Sequence, residues 1–346
     1  MDIKTIAFFD AKPYDRVFMD QFKDDYSFAI QYYETRLNHD TVRLAQDCDA
    51  VCAFVNDILD AFVIETLFRY GIRVIALRCS GYNHVDFKAA YGKIHILRVP
   101  SYSPYAIAEH AMALLLSLNR KIHRAYTRTR DFNFSLHGLV GFDLKGKTVG
   151  VVGTGQIGRI FIDICRGFGM NIIASDPHPL PNSDISYVPF DTLVRQSDII
   201  SLHCPLTPET DHLINQETLD KAKPGVFIIN TSRGALIDSY ALIEAIKSGR
   251  VGGAGLDVYE EESEFFYEDF SSSGIQDDVL ARLLTMPHVL VTSHQAFLTE
   301  EALLNIAQTT FHNLRQFFDG QPLQNEICYR CSKQSTCDRS HQERCF

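Results

Sequence analysis

Short apolar runs recur along the whole chain, at residues 5–9, 50–54, 74–77, 148–152, 172–174, 199–202, 226–230, 253–258 and 289–292. Most are apolar at consecutive rather than alternate positions. A strand of that kind must be covered on both faces, which is the condition of a parallel sheet with helices on either side. The stretches between most of the runs carry apolar residues at helical spacing, so the chain reads as an α/β fold of doubly wound parallel sheets. One helical run stands apart. Ser103-Pro104 opens it, with serine able to cap and proline at the first helical position, and the pattern continues to about Arg130. Its segment AIAEHAMALLLSL is apolar on nearly all faces and predicts burial, either in a domain interface or between the subunits of a homodimer or homotetramer.

The run at 148–152 leads directly into Gly153-Thr-Gly155-Gln156-Ile157-Gly158, where a strand must turn sharply into a helix. Gly153 permits the turn, Gly155 lets the backbone approach a pyrophosphate at the helix N-terminus, and Gly158 lets helix and strand pack closely. Asp176 ends the next apolar run, close to the roughly 20-residue spacing at which an acid binds the ribose hydroxyls in such units. Its charge would repel a 2′-phosphate, so the expected cofactor is NAD rather than NADP.

This Rossmann-like unit begins at about residue 148, yet strands are predicted before residue 80, so another α/β unit precedes it. The predicted architecture is two Rossmann-like doubly wound domains, the first discontinuous. Residues 1–101 plus 298–327 form a substrate (catalytic) domain, residues 102–297 an NAD-binding domain, and residues 328–346 a Cys-rich tail. Hinges fall near 100–103 and 296–300. A chain of 346 residues is long enough for this division, since single cores stop growing at about 250–300 residues.

The formal charge of −10 argues against nucleic-acid or anionic-membrane partners. The longest apolar stretches, such as 111–116, fall far short of the roughly 18 residues of a membrane span. The N-terminal MDIKTIAFFDAK reads as a first strand rather than a signal peptide, so a cytoplasmic protein is expected. Cys48, Cys52, Cys79, Cys165 and Cys204 are scattered through apolar or turn segments and read as reduced, buried thiols.

Four polar residues stand at or just beyond the ends of three successive predicted strands, where ligands bind in an open α/β sheet. Arg233 ends VFIINTSRG, Asp257 and Glu262 follow GGAGLDVYE, and His294 follows HVLVTS. Singly, each has an ordinary structural reading as an ion pair, a surface acid or a loop histidine. Together they meet the needs of hydride transfer to a 2-keto acid. Arg233 can clamp a carboxylate with its planar fork, His294 can protonate the developing alkoxide, and Glu262 can stabilise the imidazolium. Asp257 is expected to orient the nicotinamide carboxamide.

The stretches RCSGYNHVD (78–86), VPSYSPYAIAEHA (99–111), VGTGQIG (152–158), LHCPLTPET (202–210), NTSRGALID (230–238), GLDVYEEE (255–262) and HQAFLTEEAL (294–303) resemble the D-isomer-specific 2-hydroxyacid dehydrogenases, and within them the fermentative bacterial D-lactate dehydrogenases. The likeness spans almost everything up to about residue 327. It implies an NAD enzyme interconverting pyruvate and D-lactate, with Arg233, Glu262 and His294 as the catalytic set. It further implies backbone N–H groups of Ser80 and Gly81 on the substrate carboxylate, with Tyr102 touching it from the hinge. Gln156 and Ile157 would meet the pyrophosphate, Cys204, Pro205 and Thr210 the adenosine side, and Thr231, Ser232, Arg233 and Asp257 the nicotinamide end. Phe54 and Phe297 would either close a pocket around a small side chain or serve as ordinary core aromatics. Other small 2-keto acids such as glyoxylate or hydroxypyruvate, and a non-catalytic NADH-sensing scaffold, remain alternatives.

The remaining cysteines, Cys328, Cys331, Cys337 and Cys345, crowd into the tail with C-x2-C-x5-C-x7-C spacing. With His341 they could hold zinc or an iron–sulfur cluster. The polar, aperiodic composition around them equally reads as a disordered tail. Neither reading gives the tail a place in the chemistry, so truncation after Ile327 is expected to leave turnover near wild type.

Overall fold

A computed structural model describes residues 3–327, so the tail cysteines and His341 lie outside the described residues. The chain divides into two compact units, one containing the residues up to Ser103 and those from Thr299 onward, the other Pro104–Leu298.

The first unit runs β1 (Lys4–Phe8), α1 (Pro13–Met19), β2 (Phe28–Tyr32), β3 (Ala50–Ala53), α2 (Ala61–Arg69), β4 (Val74–Leu77), α3 (Phe87–Ala90) and β5 (His95–Arg98). All five strands are parallel, in the order β2-β1-β3-β4-β5. The inner strands β3 and β4 are buried at every position, as consecutive apolar runs require. The sequence pattern missed the two edge strands, β2 and β5. Each has a neighbouring strand on one side only, the outer side of β5 being met by residues 325–327, and carries polar residues such as Gln31, His95 and Arg98, so neither produces an apolar run.

The second unit opens with α4 (Pro104–Arg120) and α5 (Ile122–Arg130). The single helix expected to run to Arg130 is therefore two. Lys121 sits at φ 53° and breaks the hydrogen-bond ladder there. The unit continues with β6 (Thr148–Val152), α6 (Gln156–Gly167), β7 (Asn171–Ser175), α7 (Phe190–Gln196), β8 (Ile199–Leu202), α8 (Gln216–Lys221), β9 (Val226–Asn230), α9 (Ser239–Lys247), β10 (Val251–Leu256), α10 (Asp278–Thr285) and β11 (Val289–Val291). The chain then returns to the first unit as α11 (Glu300–Phe318).

The second sheet is six-stranded and parallel, in the order β11-β10-β9-β8-β6-β7. Alternate residues of each strand feed opposite layers, as the two-residue period of a strand demands. Val149, Val151 and Ile199 pack with Ala108, Met112 and Leu115 of α4 and Phe161 of α6, while Ile200, Leu202 and Ile228 pack with α7, α9 and α10. A Cβ on Gly253 or Gly255 of β10 would press on Leu118 or Leu114 of α4, so these glycines set how closely the helix approaches the sheet.

That packing changes the reading of α4. Its apolar face is buried within its own unit, and Tyr105, Glu109 and Ala113 form an exposed stripe at four-residue spacing. The helix is thus not apolar all round, because alanine can face solvent at little cost, and its burial does not itself require a subunit interface. Among the described residues no helix is long and apolar enough to cross a membrane.

Candidate active site

The strand order reverses between β6 and β8, so their carboxyl ends diverge and leave a crevice at the start of α6. Gly153 there has φ 92° and donates its N–H to the Ser175 carbonyl at 2.9 Å. Any Cβ on it would lie 2.6 Å from the His203 carbonyl oxygen. Gly158 is as constrained, since a Cβ would overlap the Gly153 carbonyl oxygen. Gly155, the N-cap of α6, faces open space, with nothing within 4 Å of the position a Cβ would take. Gln156 and Ile157 supply the first N–H groups of the helix, which no side chain caps.

Asp176 follows β7. Its Oδ2 accepts from Thr154 N at 2.6 Å and from Thr154 Oγ1 at 2.9 Å, and its Oδ1 accepts from His178 N at 2.8 Å. Burial pushes this carboxyl up, but the three hydrogen bonds outweigh it and hold the group below the usual carboxylate range. Thr154 escaped the sequence reading; its hydroxyl also receives the Tyr187 phenol at 3.0 Å.

Cys204, beyond β8, is half-buried, and burial pushes its thiol up to about 11, so it offers an apolar contact rather than a thiolate. Cys48, Cys52, Cys79 and Cys165 are buried and form no disulfide among the described residues. Thr210 holds its own turn together. Its hydroxyl donates to the Pro205 carbonyl at 2.7 Å and accepts from Thr207 N at 2.7 Å, so it closes the 205–210 turn.

After β9, Asn230 folds the chain back on itself. Its Oδ1 accepts from Ser232 N and its Nδ2 donates to the Arg233 carbonyl, while Ser232 Oγ donates to the Leu202 carbonyl. Gly234 has no room for a side chain, because a Cβ would overlap the Tyr259 backbone. Its bareness lets the β9 loop lie against the β10 loop. Arg233 is half-buried, donates Nη1 to the Ser232 carbonyl at 2.6 Å, and has no carboxylate partner among the described residues. Thr231 Oγ1 is buried without a hydrogen-bond partner among the described residues.

The acid–histidine pair spans the loops after β10 and β11. His294 Nδ1 lies 2.7 Å from Glu262 Oε1, and Glu262 Oε2 accepts from Tyr259 N at 3.0 Å. A carboxylate only accepts, so Nδ1 carries the proton and Nε2 is turned to the other side of the ring. His294 has φ 51°, in the left-handed region, where its N–H donates to the Asp257 carbonyl at 2.7 Å. Tyr267 adds a hydrogen bond from its hydroxyl to the His294 carbonyl at 3.1 Å.

Asp257, expected to orient the nicotinamide carboxamide, is bonded to the loops around it. It is fully buried, and its carboxylate accepts from Thr292 Oγ1 at 2.5 Å, Gln295 N at 2.9 Å and Ala296 N at 2.8 Å. His110 of α4 approaches the same oxygen at 3.4 Å. Burial pushes Asp257 up, yet the neighbouring His110 and the hydrogen bonds from Thr292 and Ala296 prevail and keep it below its ordinary value.

In the first unit, Ser80 and Gly81 follow β4. Their N–H groups donate to no other described residue, while the Ser80 carbonyl accepts from Arg98 and the Gly81 carbonyl from the Cys79 thiol. Tyr102 is tied through its carbonyl to Asn305 Nδ2 at 2.7 Å. Phe54 is buried beneath the Arg78 guanidinium, 4.5 Å from its ring centroid. Phe297 is buried in the second unit. Among the described residues no group of acids, histidines and cysteines could hold a metal ion.

The uncapped N-terminus of α6, the open space at Gly155, the ionised Asp176 and the orphaned Thr231 hydroxyl fit a dinucleotide with a ribose diol at one end and a polar amide at the other. Comparison with known proteins agrees. Residues 112–296 match the D-isomer-specific 2-hydroxyacid dehydrogenase NAD-binding domain. The chain is 48% identical to the D-lactate dehydrogenase of Escherichia coli over 326 residues, covering 93% of this chain and 99% of that one. The pyruvate reductase structure of Chlamydomonas reinhardtii superposes with a TM-score of 0.90 at 43% identity, covering 93% of this chain and 98% of the other. The D-lactate dehydrogenase of Lactobacillus jensenii, solved with NAD+, gives 0.81 at 30% identity, with 94% and 100% covered. The chain therefore belongs to the D-isomer-specific 2-hydroxyacid dehydrogenase family and takes NAD as its cofactor.

Proposed function

We propose that the protein reduces pyruvate to D-lactate with NADH, reversibly, using Arg233, Glu262 and His294. The observation that carries this is the 2.7 Å His294–Glu262 pair on the loops next to an arginine without a carboxylate partner among the described residues. When bound, NADH supplies the hydride to the carbonyl carbon. Arg233 holds the substrate carboxylate and polarises the carbonyl with its two-pronged fork. His294 delivers the Nε2 proton to the oxygen as it gains negative charge, and Glu262 stabilises the imidazolium beforehand. In the oxidative direction His294 takes the hydroxyl proton back. The unengaged N–H groups of Ser80 and Gly81 and the Tyr102 side chain bind the substrate carboxylate in this reading, and Phe54 and Phe297 limit its side chain to a methyl group. The two D-lactate dehydrogenases and the pyruvate reductase among the similar proteins support that choice of substrate.

The test is NADH oxidation with pyruvate, glyoxylate, hydroxypyruvate, 2-ketobutyrate and phenylpyruvate, followed by chiral analysis of the product. Pyruvate should give the highest kcat/KM and D-lactate alone. A better substrate elsewhere in the panel would reassign the pocket, and no turnover with any would favour a scaffold. His294→Gln should lower pyruvate turnover about 10²- to 10⁴-fold while the NADH Kd changes little. Arg233→Lys should raise the KM for pyruvate, because a point charge cannot replace a bidentate fork. Unchanged values would defeat these two assignments.

We further propose that the chain self-associates through residues 122–140. α5 buries none of its residues, and Phe132, Phe134, Leu136 and Val140 are 85%, 72%, 80% and 83% exposed. Four such apolar side chains exposed within residues 132–140 support an interface there. Sedimentation should give a dimer or tetramer that Phe132→Ser/Phe134→Ser dissociates. A stable 39.2 kDa monomer at micromolar concentration would refute this.

A further inference from the structure

We propose that His110 is a positioning residue for the proton donor, acting through Thr292 and Asp257 to hold the 292–296 loop in which His294 sits. The inference rests on the reading of His294 as that donor. His110 projects from the second turn of α4 with its Nε2 3.1 Å from Thr292 Oγ1. Thr292 has a single hydroxyl proton, and the buried Asp257 carboxylate beside it can only accept, so the 2.5 Å contact commits that proton to Asp257 Oδ1. Thr292 must then accept at the 3.1 Å contact, which assigns the N–H of His110 to Nε2. The result is a directed chain, His110 to Thr292 to Asp257, in which each bond polarises the next.

The far end of that chain grips the donor's loop from both sides. Asp257 receives Gln295 N and Ala296 N through its side chain and His294 N through its carbonyl. These bonds over-determine a backbone conformation, φ 51° at His294, that a residue with a Cβ seldom adopts unaided. Removing the His110 donor leaves the Thr292 hydroxyl without its orienting partner and Asp257 short of a nearby positive dipole, so the loop can relax and carry Nε2 away from its working place. Displacements of about 1 Å at a reacting group cost up to about a hundredfold in rate, so a partial loosening should be felt in kcat.

The experiment uses the full-length enzyme and four variants in two backgrounds. His110→Leu and Thr292→Val should each lower kcat for pyruvate reduction about 5- to 30-fold, with the NADH Kd held within about twofold. His110→Gln, whose amide can donate from nearly the same point, should recover most of the loss. The double variant should be no worse than either single one, because both break one chain. In a His294→Gln background, His110→Leu should have no further effect. If His110→Leu does not fold, the isosteric Thr292→Val carries the same expectation. A folded His110→Leu enzyme with kcat within twofold of wild type, or an equal loss in both backgrounds, would overturn the inference while leaving the donor assignment intact. Wild-type turnover by His294→Gln would instead overturn the donor assignment and this inference with it. Imidazole ¹⁵N resonances give a readout independent of turnover: His110 should be protonated at Nε2, and a neutral Nδ1–H tautomer would contradict the chain.

Discussion

The carboxylate of Asp176 is held as an anion by Thr154 and His178, and a 2′-phosphate brought to it would meet that charge directly. Asp176→Ala should therefore lower the preference for NADH over NADPH, read as the ratio of kcat/KM for the two cofactors, by about tenfold or more, since one charged hydrogen bond is worth about 1.5–3 kcal/mol. An unmoved ratio would mean that Asp176 does not face the ribose. Gly158 tests the same region sterically. A methyl group there overlaps the Gly153 carbonyl oxygen, which is backbone and cannot swing aside. Gly158→Ala should push α6 off β6 and weaken NADH binding more than it lowers the KM-independent rate. Fluorescence titration with intact NADH affinity would contradict the close packing.

Among the elements, α10 shows how a helix start is coupled to the catalytic loops. Asp277 caps it by accepting from Val279 N and Leu280 N, each at 2.8 Å, and also receives the hydroxyl of the buried Tyr259 at 2.8 Å. Tyr259 in turn donates its backbone N–H to Glu262. Asp277→Ala removes the cap and strands a buried hydroxyl, a combined cost of about 2–3 kcal/mol. The urea midpoint should fall accordingly, and Asp277→Asn, which keeps the cap, should recover most of it. A midpoint unchanged by the alanine variant would show that the cap is dispensable.

Across the whole molecule, acid stability should be set largely by histidines kept neutral. His203 is half-buried, with Nε2 2.8 Å from Ser201 Oγ and Nδ1 covered and without a partner among the described residues, and burial pushes it down to about 3. Burial likewise pushes His84 down to about 4. An unfolded chain protonates histidine near about 6.5. Between that value and the folded one, the unfolded state binds protons that the native state refuses, so stability falls as pH drops through the window. The slope is about 1.4 kcal/mol per pH unit for each such histidine. Denaturant unfolding at pH 7 and pH 5 should show the loss, and His203→Gln should lessen it. An equal loss in wild type and variant would exclude His203 as the cause.

Local pattern was enough for the alternation of strand and helix, because consecutive apolar residues report burial on both faces wherever the strand ends up. It was also enough for the glycine turn into α6 and the acid after β7, since a backbone needing φ 92° at Gly153 leaves its mark at a single position. The edge strands β2 and β5 were silent because their mixed polarity leaves no apolar run, whereas β7 and β11, also at an edge, were legible. The candidate catalytic residues were legible as residue types at strand ends, but their working partners were not. Thr154 meets Asp176 across 22 residues, and Asp257 meets Ala296 across 39. Such pairings depend on which strands lie side by side and in what register. Asp257 shows the difference most sharply. Its position after β10 suggested a ligand contact, and only the tertiary structure brings the 292–296 loop N–H groups onto its carboxylate. Sequence determined which chemistry the chain carries and roughly where along it. Tertiary structure decided which polar atoms are left facing a ligand, because a hydrogen bond is made by geometry that residues distant in sequence supply together.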